Sequence, residues 1–262
     1  MSAEDTQPES AQPSAVTSAL PLEEAIHSLV LDDLLRAAAD PALTEEIALA
    51  LLARADLRGE VLEQLSKNRS AIKPRKVRLA LASHPKTPRH VSVPLIRQFY
   101  TFDLMKVALS LVVPADVKRT AEETLIARLK TITLGERLTL ARQASGIIAG
   151  ALLLDAEPRI MRTALENPRL TEASVVKAVV KREATAPLIQ AISQHEKWSC
   201  RRDVQIALLR SEHLSLARAL AFSRGIPPLQ LQEILQNSRL PARIKDELRR
   251  EKSNAPRANS GA

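Results

Sequence analysis

The stretch Ala164–Glu172 reads ALENPRLTE, and Ala38–Glu46 reads AADPALTEE. Both run through a small residue, Asx-Pro, one free position and Leu-Thr-Glu, with Thr44 and Thr171 standing 127 positions apart. Each phrase reads as a complete joint between two helices. Proline disfavours the α conformation of the residue before it, so Asp40 and Asn167, ahead of Pro41 and Pro168, are natural stops. Thr44 and Thr171 can then cap the free N–H groups of a new helix, with Glu45 and Glu172 at its positive end. Leu170 is placed to pack on Val175 as a hydrophobic staple.

Related joints recur along the chain. SHPKTPRHV (Ser83–Val91) puts His84 in the stop position before Pro85, Thr87 in the cap slot and Pro88 at the first helical position. TITLGE (Thr131–Glu136) offers Thr133 with Glu136 as a capping box, and SEHLSLA (Ser211–Ala217) offers Ser215. The positions 44, 87, 133, 171 and 215 step by 43, 46, 38 and 44. A second set of joints lies between them, at Ser70–Pro74, Val113–Asp116, Glu157–Pro158, Trp198–Ser199 with Ser199 as cap, and Ser238–Pro241. The spacing therefore predicts one helix pair per repeat of about 42 residues, stacked in series.

Composition agrees with an all-α chain. Apolar residues make up 45% of the 262 but aromatics only 2%, and Gly (6) is scarce beside Pro (16). The core must be aliphatic, with proline punctuating between helices. In 171–181, Val175 pairs with Val179 and Val176 with Val180 at i,i+4, while Lys177 and Lys181 share another face. Ile160, Met161, Ala164 and Leu165 form a stripe in 157–166, as do Leu240, Ile244 and Leu248 in 240–251. Residues 1–20 and 252–262, polar and poor in bulky apolar groups, read as a disordered arm and tail around one repeat domain, 21–251.

RLALASHPKTPRHVSVPLIRQF and RIMRTALENPRLTEASVVKAVV resemble the leucine-rich repeat variant, an α-helical repeat family related in shape to HEAT and armadillo solenoids. The resemblance covers residues 75–250 and implies a right-handed superhelix of short helices, an α-solenoid, with a role in macromolecular interaction. The 42-residue spacing is longer than that family's repeat. The family can carry an N-terminal cysteine cluster for an iron–sulfur centre, which the single Cys200 cannot supply, so no cofactor is expected.

Charge is the most informative chemistry. Residues 1–66 hold thirteen acidic and three basic residues, a charge of −10 within a total of +8, which leaves +18 for the remainder. No acid occurs from Lys67 to Phe102, while Lys67, Arg69, Lys73, Arg75, Lys76, Arg78, Lys86, Arg89 and Arg97 all do. Such a tract can neutralise phosphates and bind nucleic acid without sequence preference, with outlying cations such as Lys177, Lys181, Arg201 and Arg202 in support. No aromatic interleaves the cations, so stacking on single-stranded bases lacks support. A solvated or protein-binding face is the ordinary alternative. A third reading folds the acidic segment (Glu23, Glu24, Asp32, Asp33, Asp40, Glu45, Glu46) back on the tract.

Catalytic signals are thin. His84 with His90, and His195 with Cys200, lack the spacing of a zinc site, and turn histidines of this kind read as caps. QASGIIAG (Gln143–Gly150) lacks the nucleophile-elbow spacing, and the six glycines build no phosphate loop. Glu122–Glu123 has no apolar setting. QFYTFDLM (Gln98–Met105) reads as a core plug of Phe99, Tyr100 and Phe102 at a helix boundary, or as a peptide groove lined by Tyr100. Some HEAT-like solenoids are DNA-base glycosylases, and Trp198 with Asp203 is the one pairing that resembles them; Trp198 reads more simply as a staple before Ser199. The expectation is a non-catalytic scaffold for an unknown protein partner, with polyanion binding as the first alternative and a DNA-repair enzyme as the second. MSAEDTQPES shows no secretory signal, and Ala144–Leu154 is too short to span a bilayer, so a cytoplasmic protein outside the membrane is expected. Oligomeric state is open.

Overall fold

The structure, a computed structural model, describes residues 20–254. The expected arm falls outside them except for Leu20, and of the expected tail only 252–254 are described, as the last turn of a helix. Eighteen helices and no strand occur among the described residues, and the chain forms two compact units, residues 1–91 and 92–262.

The first unit holds α1 (Leu22–Ala25), α2 (Leu31–Ala39), α3 (Glu45–Leu52), α4 (Gly59–Lys67), α5 (Arg75–Ser83) and the start of α6 (Arg89–Arg97). α2 packs on α4 and α3 on α5, so each helix rests on the next but one. The buried side chains are aliphatic: Leu51, Leu57, Leu62, Leu65 and Leu81 are each shut off from solvent. Helix starts from α2 to α6 fall at 31, 45, 59, 75 and 89, one about every 14 residues.

The second unit continues with α7 (Thr101–Leu109), α8 (Ala115–Arg128), α9 (Leu134–Gln143), α10 (Gly146–Leu152), α11 (Pro158–Leu165) and α12 (Glu172–Val180). It closes with α13 (Ala186–Gln194), the single turn α14 (Glu196–Ser199), α15 (Arg202–Leu209), α16 (Leu216–Ser223), α17 (Pro228–Gln236) and α18 (Ala242–Asn254). One series packs α8 on α10, α10 on α12 and α12 on α15; the other packs α9 on α11 and α11 on α13. Each unit thus has the packing of an all-α solenoid, in which short helices bury their apolar stripe on neighbours in the stack.

The expected period of 42 is corrected. Thr44, Thr87, Thr133 and Thr171 precede α3, α6, α9 and α12, so each step spans three helices and not a pair. The helix pair is shorter, and side chains at the joints show its length. Arg54 Nη1 donates to the carbonyls of Ile26 (2.6 Å) and Ser28 (2.9 Å), 28 and 26 residues back. Asn68 Nδ2 donates to those of Ala38 and Asp40, 30 and 28 back. His84 Nε2 meets that of Arg54 at 2.9 Å, 30 back. In the second unit Arg128 reaches the Phe99 carbonyl 29 back and that of Arg97, and the Arg239 N–H reaches Arg210, also 29 residues earlier.

Each stitch answers one physical demand. The last carbonyls of a helix have no partner inside it, and a buried one left unpaired costs about 1–3 kcal/mol. A joint side chain serves its own turn at one end and the older helix at the other. Asn68 Oδ1 accepts the Ala71 N–H, and His84 Nδ1 accepts the Lys86 N–H, which leaves the ring proton on Nε2 for the Arg54 carbonyl. Asn167, 1% exposed, accepts the Arg169 N–H and donates to the carbonyls of Ala141 (2.8 Å) and Ala144 (3.2 Å).

The caps are met in part. Thr44 accepts from Ile47 N–H, Thr171 from Ser174 N–H, and Thr133 forms the full capping box with Glu136. That box holds the Glu136 carboxyl below the usual range, first through the Thr133 N–H. Asp40 and His84 end α2 and α5 as expected, each before its proline, and Asn167 lies one residue past the Glu166 cap of α11. Three expectations fail. Thr87 sits buried two residues before α6 and donates to the Leu81 carbonyl, tying the turn back to α5. Ser215 occupies the N-cap of α16 without a side-chain bond. Ser199 ends α14 and caps nothing, because α15 starts three residues later.

The closest approach lies where the α9–α10 joint meets the α11–α12 joint. A Cβ on Gly146 would stand 2.2 Å from the Arg169 carbonyl oxygen, and one on Gly150 would stand 3.0 Å from Ser174 Cβ. Glycine one turn apart lets α10 lie against α12. Gly146→Ala is expected to lower stability by about 1–3 kcal/mol through overpacking. Gly135→Ala, which meets nothing within 4 Å in α9, is expected to raise it by about 0.4–1 kcal/mol. Equal urea midpoints for the two would contradict this packing. Asn167→Ala should lose about 2–3 kcal/mol by stranding two carbonyls and an N–H.

Arg54 is held by Asp56, with Nε–Oδ1 at 3.0 Å and Nη2–Oδ2 at 2.6 Å. The guanidinium hydrogen bond lowers the exposed Asp56 carboxyl to about 2. Its folded value lies below the unfolded one, about 3.9. The contribution is therefore complete above pH of about 4 and fades as pH falls through about 2. An acid titration of stability should lose less between those limits in Asp56→Asn than in the parent chain; identical slopes would contradict the pairing.

Candidate functional site

The basic tract is the first place to look. Lys67 ends α4, Arg69 and Lys73 lie in the following loop, and Arg75, Lys76 and Arg78 belong to α5. Lys86 lies in the next turn and Arg89 opens α6, whereas Arg97 ends α6 in the second unit. Acids from upstream enter among these cations. Glu63 pairs with Lys67 at 3.0 Å and with His90 at 3.7 Å, and Glu45 pairs with Lys76 at 3.7 Å. The Lys67 ammonium holds the Glu63 carboxyl below its usual range. All of these pairs are well exposed, so solvent screens each of them strongly. Of the acidic segment, Glu45 thus meets the tract, while Asp33 pairs with Arg36 at 2.9 Å and Asp40 accepts the Ala42 N–H in its own turn. At the level of sequence the first unit carries −2 and the second +10, within the total of +8.

Histidines and the tryptophan belong to joints. His84 is a buried stitch. His195 closes α13, accepts the Lys197 N–H on Nδ1 and meets Glu166 Oε1 at 3.2 Å through Nε2. Trp198, 2% exposed, donates its indole N–H to the Leu165 carbonyl at 3.1 Å, and the Lys197 ammonium sits 4.3 Å from its ring centre. Trp198 is thus buried inside α14 and is no staple before a cap; Asp203 is exposed on α15, so the two do not share a cavity. No group of three or more His, Cys, Asp or Glu positioned for a metal occurs among the described residues. The aromatic plug is half right. Phe99 is buried at the α6–α7 boundary, but Tyr100 is 68% and Phe102 40% exposed.

A better-formed site lies between α12 and α15, in a groove of about 670 Å³. From α12 it takes Glu172, Ala173, Val176, Lys177 and Val180; from α15 it takes Asp203, Ile206 and Ala207, with Arg210 at the cap that ends this helix. The spacings are helical, so each set is one face of its helix. The opposite face of α12 is separately apolar and buried, through Val175, Ala178 and Val179, as Val204 and Leu208 are in α15. Stacking uses one apolar stripe per helix. α12 carries a second one that stacking covers only in part: Val176 is half-buried and Val180 is 54% exposed. The signal was present in the doublets Val175–Val176 and Val179–Val180, which put apolar side chains on two faces at once.

The groove is also charged by end. Arg239 donates its N–H to the Arg210 carbonyl at 3.0 Å and reaches the Val180 carbonyl from Nη2 at 3.4 Å. The C-terminal ends of α12 and α15 are therefore adjacent, and the two helices run parallel. Glu172 and Asp203 lie at the shared N-terminal end, with Lys177 and Arg210 toward the other. Acid at helix starts and base at helix ends follow the macrodipole.

A smaller cavity of about 350 Å³ lies between α11 and α13, lined by Arg162, Glu166 and His195 among others. It consists largely of the joint already described. No helix among the described residues is long and apolar enough to cross a membrane. Neither a family model, nor a curated protein, nor a solved structure matches the chain.

Proposed function

We propose that this chain is a non-catalytic helical-repeat scaffold that docks a protein partner in the α12–α15 groove. The observation that carries the proposal is the second apolar stripe of α12, exposed at Ala173 and Val180 and half-buried at Val176, facing the half-buried Ile206 across a groove that the buried Ala207 floors. Exposed apolar surface with a polar rim is the ordinary form of a protein-binding site. The joints, with Asx or His before proline and threonine caps, support a repeat of the leucine-rich repeat variant or HEAT-like kind. Stitches that reach back 28 to 30 residues support a helix pair shorter than the 42-residue unit, in the direction of that family's shorter repeat. A cytoplasmic setting suits this reading.

Polyanion binding is the second reading, and the charge of the second unit favours it. The tract Lys67–Arg97 supports it less than its sequence suggests, since Glu45 and Glu63 stand among its cations.

One experiment separates the two. Proteins retained from lysate by the full chain are compared, with and without nuclease, with those retained by a Val176→Thr/Val180→Thr/Ile206→Thr variant of equal urea midpoint. The scaffold reading expects a set that survives nuclease and falls at least tenfold on the variant. A set lost with nuclease moves the function to polyanion binding, and a set unchanged by the variant removes the groove.

A further inference from the structure

We infer that the occupant of the α12–α15 groove is an amphipathic α-helix of a partner protein. It lies antiparallel to α12 and α15, with an acidic first turn against Lys177 and Arg210 and a basic last turn against Glu172 and Asp203. This rests on the docking reading above and adds the partner's chemistry and direction.

Length comes first. α12 has nine residues and α15 eight, so at 1.5 Å per residue the groove is about 13 Å long. That takes about two and a half helical turns, enough for three apolar anchors at i, i+3 or i+4, and i+7. The floor supplies matching apolar positions, with Val176 and Val180 one turn apart on one wall and Ile206 on the other. Two parallel helices with a furrow between them form the ordinary seat for a third helix, whose ridge of side chains enters the furrow.

Charge fixes the direction. Among the described residues the side chains of Glu172, Lys177, Asp203 and Arg210 take no part in ion pairs or hydrogen bonds, unlike Lys67 and Lys76 of the basic tract. Each helix end carries about half a charge from its dipole, whereas each side chain carries a full one. The side chains therefore set the sign, so the N-terminal end of the groove is negative and the C-terminal end positive. Arg239, reaching Val180 at 3.4 Å, adds to the positive end. The same arithmetic holds for the guest. A helix stabilised by acid in its first turn and base in its last is net negative where it starts and net positive where it ends. Such a guest matches the groove only when it lies antiparallel. A parallel guest would need base first and acid last, the order that weakens a helix. The apolar floor then supplies affinity, while the four charges select direction and speed encounter.

The test is selection from a displayed library of 16-residue peptides of high helix propensity against the full chain. The selected peptides are expected to carry apolar residues at i, i+3 or i+4, and i+7, with Asp or Glu in the first third and Lys or Arg in the last. They should bind at least tenfold more weakly to Val176→Thr/Val180→Thr/Ile206→Thr. The quadruple variant Glu172→Lys/Asp203→Lys/Lys177→Glu/Arg210→Glu should select the opposite order. Peptides that depend on the three apolar residues but show no charge order, the reverse order or alternation of period two leave the groove standing and overturn the antiparallel helix. Selected peptides indifferent to the triple variant overturn both readings. Should the triple variant unfold, Val180→Thr alone, at a side chain 54% exposed, carries the comparison with an expected threefold or greater loss.

Discussion

The structure depends on what happens to the last carbonyls of each short helix. With the eighteen helices of the described residues averaging only two or three turns, a large share of the described backbone lies within four residues of a helix end. Water can serve the outward groups, but carbonyls facing the next layer need a protein donor. Arg54, Asn68, His84, Arg128 and Asn167 each extend a side chain to carbonyls near the end of an older helix. A cap so placed serves as a cross-tie, because it joins two helices that are not consecutive. Stacking and capping are thus one interaction.

Low aromatic content follows from the same geometry. Thin layers of short helices have room for Leu, Ile, Val and Ala, and in places for nothing larger than glycine. Gly146 lies so near the Arg169 carbonyl that a methyl group has no space. Phe99, Phe222 and Trp198 are the buried aromatics among the described residues, and Trp198, at α14, contributes its own stitch to Leu165. There the side chain has both the bulk of a core residue and the donor of a cap, which suits the one place where an extra turn interrupts the alternation of longer helices.

The groove between α12 and α15 uses surface the stack does not. A repeat helix buries one stripe on its neighbours, and a second stripe adds nothing to that packing. On α12 it lies beside a rim with acid at one end and base at the other, the arrangement on which the proposed docking rests. The basic tract differs in kind: it has many cations but also nearby carboxylates, and it is spread over α4, α5, α6 and the turns between them. Charge alone produces attraction, whereas charge with an apolar floor also produces a preferred orientation.

Much of this was legible in the sequence. Asp40, His84 and Asn167 before prolines announced helix stops, Thr44, Thr133 and Thr171 announced starts, and the aliphatic stripes announced an all-α stack. These signals are local: a cap or a pre-proline restriction acts within four residues, so the residues that cause it stand together in the chain. The repeat length was misread because only about one joint in three carries the threonine phrase. Boundaries such as Arg58–Gly59, Tyr100–Thr101 and Ser145–Gly146 start helices with no side-chain cap at all. At two of these joints Arg128 and Asn167 reach back to the carbonyls that end the preceding helix, from 31 and 23 residues away, and leave the N–H groups of the new helix without a side-chain cap. Sequence by itself therefore determined the elements and their class. Tertiary structure alone decided which carbonyl each joint side chain reaches, that Thr87 turns inward rather than caps, that Ser199 ends a helix rather than starting one, and that the second valine stripe of α12 stays partly open. Each of these depends on which helices become neighbours, and that is settled by packing across the stack, beyond the range of any local propensity.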